Sequence, residues 1–101
     1  MSRVDFPTQL DGATVLKLTK NDATRKLSSV IFEEVDGTAI EVQITALAIA
    51  KYKEEDKYYL FLCDSSWEVI NDFLLDTIDE ATECARMNFS INSTDWIALF
   101  E

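Results

Sequence analysis

Apolar and polar residues alternate along most of the chain, and only the stretch from Thr77 to Phe89 changes to helical spacing. After the turn signal Asp11-Gly12, the run Ala13 to Thr19 places Thr14, Leu16 and Leu18 on one face and Val15 and Lys17 on the other. That is the pattern of an amphipathic strand. Lys20 to Lys26 is polar and reads as a loop. Two β-prone runs, Ser28 to Val35 and one beginning at Thr38, flank Asp36-Gly37. Both turn residues tolerate positive φ, so a two-residue type I′ hairpin is predicted there. Its register sets Val35 opposite Thr38, Glu33 opposite Ile40 and Ile31 opposite Val42.

From Thr38 to Lys53 the alternation continues. Ile40, Val42, Ile44, Ala46, Ala48, Ala50 and Tyr52 share one face, with Glu41, Gln43, Thr45 and Lys51 on the other. The small alanines predict a surface that another element approaches closely, namely the later helix. Glu54-Glu55-Asp56 turns the chain, and Lys57 to Cys63 returns apolar on both faces. Such a run reads as a central strand covered on both sides, or on one side with a partner protein on the other. After Asp64-Ser65-Ser66, Trp67, Val69 and Asn71 alternate with Glu68, Ile70 and Asp72 in a short last hairpin strand.

Thr77-Ile78-Asp79-Glu80 matches a capping box, and its acids sit where a helix dipole favours negative charge. Ile78, Ala81, Ala85 and Phe89 follow as one apolar stripe, with Cys84 and Asn88 at its margin. Asn92-Ser93 ends the helix; Thr94 to Phe100 either pairs as a terminal strand or packs as a tail. The expected fold is α+β, a single domain over 1–101 with an antiparallel meander of four to six strands packed on one helix in the C-terminal half.

Composition supports a packed fold. With 48% hydrophobic and 11% aromatic residues among 101, the chain can bury a core despite its charge. Met1 to Pro7 has no apolar run of signal-peptide length, and no stretch reaches the roughly 18 to 20 apolar residues of a membrane span. A cytoplasmic location is expected, with Cys63 and Cys84 as buried thiols and not a disulfide. The formal net charge is -10, from 19 acidic and 9 basic side chains. That balance disfavours nucleic acid and anionic membrane as partners and favours a basic protein surface.

Catalytic and cofactor motifs are largely excluded. There is no histidine, so Ser-His-Asp and Cys-His catalysis and histidine-containing metal sites are absent. With only Gly12 and Gly37, no phosphate-cradling glycine loop exists. Acid pairs such as Asp72 and Asp76 read as solvated surface before acid/base or cation-binding groups. Cys63, in an apolar run without a basic neighbour, reads as inert. Neither an enzyme nor a cofactor is expected.

Charge is unevenly distributed. Asp64, Glu68, Asp72, Asp76, Asp79, Glu80 and Glu83 fall between Lys57 and Arg86 with no positive residue among them, whereas Lys17, Lys20, Arg25 and Lys26 gather earlier. The candidate partner-binding residues are Glu33, Glu34 and Asp36 at the hairpin, and Asp64, Glu68, Asp72 and Asp76 with Trp67 near the last hairpin. Trp67 and Trp96 are each expected to serve the core before an interface.

The motifs Tyr58 to Asp64, Trp67 to Asp72 and Thr77 to Ala81 resemble small bacterial proteins that carry an apolar strand, an acidic turn, a Trp strand and a short acidic helix, and the small, acidic, single-domain, histidine-free α+β chain without a catalytic signature resembles the immunity proteins of bacterial toxin systems, including contact-dependent growth inhibition. The resemblance is one of type, covers about a third of the chain and carries no family site residues. It implies a cytoplasmic protein that binds a cognate toxin domain, often a basic nuclease, and blocks its active site or substrate groove. Two other classes stay open: a small enzyme or ligand carrier with a pocket, and a structural or regulatory subunit that oligomerises through an unpaired sheet edge.

Overall fold

The computed structural model describes residues 6–99; Met1 to Asp5, Phe100 and Glu101 lie outside them, Phe100 being the end of the expected terminal segment. The strands are β1 (Gln9–Leu10), β2 (Ala13–Thr19), β3 (Ser28–Glu33), β4 (Ala39–Ile44), β5 (Ala46–Lys51), β6 (Tyr58–Cys63), β7 (Val69–Leu75) and β8 (Trp96–Ala98). One helix, α1 (Ile78–Phe89), precedes a 3₁₀ turn at Ser93–Asp95. The fold is α+β: a curled antiparallel sheet in the order β1-β2-β5-β6-β7, with β8 also on β2, and one helix in the C-terminal half. Strands β3 and β4 leave this sheet as a separate two-stranded arm.

The two Asp-Gly pairs make different turns. Asp11 (φ 50°) and Gly12 (φ 82°) both take positive φ between the paired residues Leu10 and Ala13, the two-residue type I′ geometry. At the arm, Gly37 has φ 90° but Asp36 is not in the left-handed region. Gly37 N donates to Glu34 O (3.0 Å) and Glu34 N to Thr38 O (2.8 Å), closing a three-residue loop over Val35, Asp36 and Gly37. The predicted two-residue register is therefore off by one. Val30 faces Val42 and Phe32 faces Ile40, while Glu33 meets Ala39. Apolar cross-strand pairs decide between the two registers, because a one-residue slip would set Ile40 against a carboxylate.

Two further irregularities alter the expected faces. A bulge between Val15 and Lys17 on β2 brings Val15 and Leu18 into the same buried cluster, in place of strict alternation. Thr45 breaks the long strand between β4 and β5, so that Ile44 packs with Leu47 and Ile49 and not with Ala46. Thr45 N donates to Cys63 O (3.0 Å) at this kink.

The sheet consequently has two covered faces. Leu47 and Ile49 of β5, with Leu60 and Leu62 of β6, meet Ala81, Ala85 and Phe89 of α1. The helix is thus not on the alanine face, contrary to the sequence expectation. Its own stripe supplies the small residues, and these let it lie close to the leucines and isoleucines. On the opposite face, Ala46, Ala48 and Ala50 leave room for Leu10, Val15, Leu18, Phe61 and Cys63 as the sheet curls over itself. Central strand β6 is buried on both faces, as its apolar run predicts.

Thr77 caps α1 by accepting a hydrogen bond from Glu80 N (3.0 Å), an interaction worth about 1 kcal/mol in helices generally. Glu80 reaches back one residue further than a capping box requires, to Asp76 N (3.0 Å). Ser90, at φ 58°, ends the helix. The terminal segment pairs as a strand, Trp96 to Ala98 on Thr19 to Lys17.

Strand β7 also differs from expectation. It begins at Val69, after Trp67, and runs to Leu75, taking in Phe73-Leu74-Leu75. Among the described residues it is an edge strand, paired only with β6.

Candidate functional site

The expected partner-binding acids occupy two separate places. Glu33, Glu34 and Asp36 lie at the far end of the β3–β4 arm, all exposed. Asp64 and Glu68 flank the β6–β7 turn, Asp72 lies on β7, and Asp76 follows the other end of that strand. Asp64 shares a groove with Glu41 and Gln43 at the root of the arm. The arm tip stands roughly 17 Å further out, at about 3.4 Å per strand residue. The seven candidate acids therefore form a distal group and a strand-edge group, not one cluster.

Several of these acids also have local work. Asp36 Oδ1 accepts from Thr38 N (3.0 Å) and Thr38 Oγ1 (2.8 Å), which hold its carboxyl below the ordinary value and keep it ionised. Asp64 Oδ1 accepts from Ser66 N (2.8 Å) and Glu68 N (3.0 Å), organising the β6–β7 turn. Asp76 pairs with Lys57, whose pKa is raised first by that hydrogen bond and then by its charge. Arg86 likewise pairs with Glu83. Glu33, Glu34, Glu68 and Asp72 form no ion pair among the described residues.

Trp67 sits in the left-handed region, at φ 63°. Its turn repeats the arm loop: Trp67 N donates to Asp64 O (3.0 Å) and Asp64 N to Glu68 O (3.0 Å), just as Gly37 and Glu34 do. Trp67 thus occupies the position that glycine fills in the arm, where a bulky side chain is strained by about 1 to 3 kcal/mol. Packing against the alanine-face cluster holds it there. Asn21 adds a tie, donating from Nδ2 to Asp64 O (2.8 Å) and accepting from Thr45 Oγ1 (2.6 Å). An open groove of about 430 Å³ lies between Trp67, Phe6 and the loop Lys20 to Thr24. Trp67 and Trp96 are both half-buried, each packed against a different core cluster.

Cys63 and Cys84 are unlinked and pack on opposite faces of the sheet. Burial, and then the negative charges of Asp64 and Asp11, push the Cys63 thiol up to about 12. At neutral pH it is a protonated core group. In the folded protein, Cys84 is expected to react with a thiol reagent well before Cys63, and both should react in denaturant. The sign of the pH effect follows. An unfolded cysteine titrates near pH 8.5, so between that value and the raised folded pKa the unfolded state holds fewer protons and stability falls as pH rises. Urea midpoints of the native protein and a Cys63→Ala variant should therefore converge on going from about pH 8 to about pH 11.

Among the described residues, no group of three or more Cys, Asp or Glu side chains is gathered to hold a metal ion. No described helix is long and apolar enough to cross a membrane. Comparison with protein families, curated proteins and solved structures finds no match to this chain.

One surface was missed by sequence reasoning. Of the seven large hydrophobic side chains exposed among the described residues, Ile31, Phe32, Val35 and Ile40 all lie on the arm. The apolar residues interleaved with Glu33, Glu34 and Asp36 were visible in the sequence. Their exposure was not, because alternation alone does not say which strands meet the body of the sheet.

Proposed function

We propose that this protein is an acidic binding protein of the immunity type, which acts in the cytoplasm by engaging a basic toxin domain and occluding its active site or substrate groove. It works by association and not by catalysis. The observation that carries this reading is the set of surface acids with no ion pair among the described residues, Glu33, Glu34, Glu68 and Asp72, on a chain of net charge -10. Such a field accelerates encounter with a cationic partner and competes for the places phosphates would occupy on a nuclease. The resemblance of type to immunity proteins points the same way.

The test is protection. Cells expressing a toxin-like protein encoded beside this one should stop growing alone and recover when this protein is co-expressed. Recovery requires a complex that co-purifies. Unrelieved toxicity with no complex would overturn the reading.

A further inference from the structure

We infer that the β3–β4 arm is the element that docks into the partner, and that its occupant is a basic protein surface with an apolar centre. The inference rests on the proposed binding role and specifies the surface that performs it.

Phe32 and Ile40 face each other across the arm, 44% and 48% exposed, with the half-buried pair Val30 and Val42 next along the same face. Val35, fully exposed, stands in the terminal loop, and Ile31, 65% exposed, lies on the other face beside Glu41. One face of the arm is thus apolar from Val30 and Val42 to Phe32 and Ile40, and Val35 adds an apolar side chain at the acidic tip. A two-stranded hairpin is at best marginally stable in water and gains from a cover. Among the described residues the arm strands pair only with each other, and the larger sheet adds no strand to them.

Charge selects the occupant. From Leu27 through Ala50 the chain has no lysine or arginine, while Glu33, Glu34, Asp36 and Glu41 surround the apolar pairs. Lys26 reaches only Glu41, at 3.7 Å. A second copy of the arm would set these carboxylates against their own kind. A cationic rim around an apolar depression complements both features, with the carboxylates steering and Phe32 and Ile40 supplying buried contact.

The test uses a synthetic peptide of alternating lysine and leucine, with an all-lysine peptide of equal length as its comparison, titrated into the isotope-labelled full chain and read by backbone amide NMR. The lysine–leucine peptide should shift amides of Ser28 to Ile44 saturably and bind more tightly than all-lysine. A Phe32→Ser/Ile40→Ser variant should weaken that binding by roughly tenfold or more, the scale of lost hot-spot residues, while Leu74→Ser on β7 leaves it unchanged. Unchanged amide shifts outside the arm establish that the variants fold.

Shifts confined to β7, or equal binding of the two peptides, would overturn the arm while leaving an acidic binding role standing. Sedimentation showing a dimer that the arm variant abolishes would assign the face to a second copy and also overturn the inference. If neither cationic peptide binds anywhere, the proposed binding role falls as well.

Discussion

Phe61→Ala is expected to destabilise the fold by about 3 to 5 kcal/mol, the range for truncating a buried aromatic. Phe61 is 1% exposed and stands on the central strand β6 against Val15, Leu18 and the alanines of β5. Those alanines are the reason to expect a full effect. Short side chains cannot swing into the vacated volume, and the backbone on either side is held by strand pairing to β5 and β7. Since domains of this size are stable by about 5 to 15 kcal/mol, such a loss consumes a large share of the total. The urea midpoint should fall sharply with little change in slope. Leu74→Ala, at a 53% exposed position on β7, should change stability by no more than about 0.5 kcal/mol.

Reversing Glu33 and Glu34 to lysine should act in the opposite domain, on encounter and not on folding. Neither carboxylate forms an ion pair among the described residues, so stability should move by no more than about 0.5 kcal/mol. The formal net charge changes by two for each reversal, from -10 to -6, and the change is concentrated at the arm tip. Association with a cationic partner should slow by about tenfold or more at low ionic strength, and the difference should shrink as salt shortens the Debye length. Apolar truncation at Phe32 should instead hasten dissociation, because packed contacts act chiefly after encounter. Stopped-flow measurement separates the two effects.

The elements most legible in the sequence were those set by local rules. The Thr77 cap, the stripe through Ala81, Ala85 and Phe89, and the doubly apolar β6 run needed no knowledge of distant residues. The faces of β2 and β5 were not legible in the same way. The bulge after Val15 and the kink at Thr45 each shift the alternation by one, and neither leaves a local signature as strong as glycine or proline. The alanines of β5 suggested close approach, correctly, but it is the curling sheet that approaches them and not the helix.

Asp36-Gly37 shows why turn chemistry alone is insufficient. The same dipeptide at Asp11-Gly12, read only as a turn signal, forms a two-residue turn, whereas at the arm, where that turn was predicted, the Val30–Val42 and Phe32–Ile40 pairs require a longer loop. Trp67 gave no warning of its conformation, since an aromatic residue in a glycine position is permitted only by the packing around it. The candidate acids were legible as charges, but their division between arm and strand edge emerges only when the topology separates them.

The binding role is tested most directly by titrating the purified protein, at low and high salt, with a basic toxin domain. Saturable one-to-one binding that weakens as salt rises, together with amide shifts at the arm, is the expected result. Binding that is insensitive to salt, or no binding at either ionic strength, would contradict an acidic surface built to engage a basic protein.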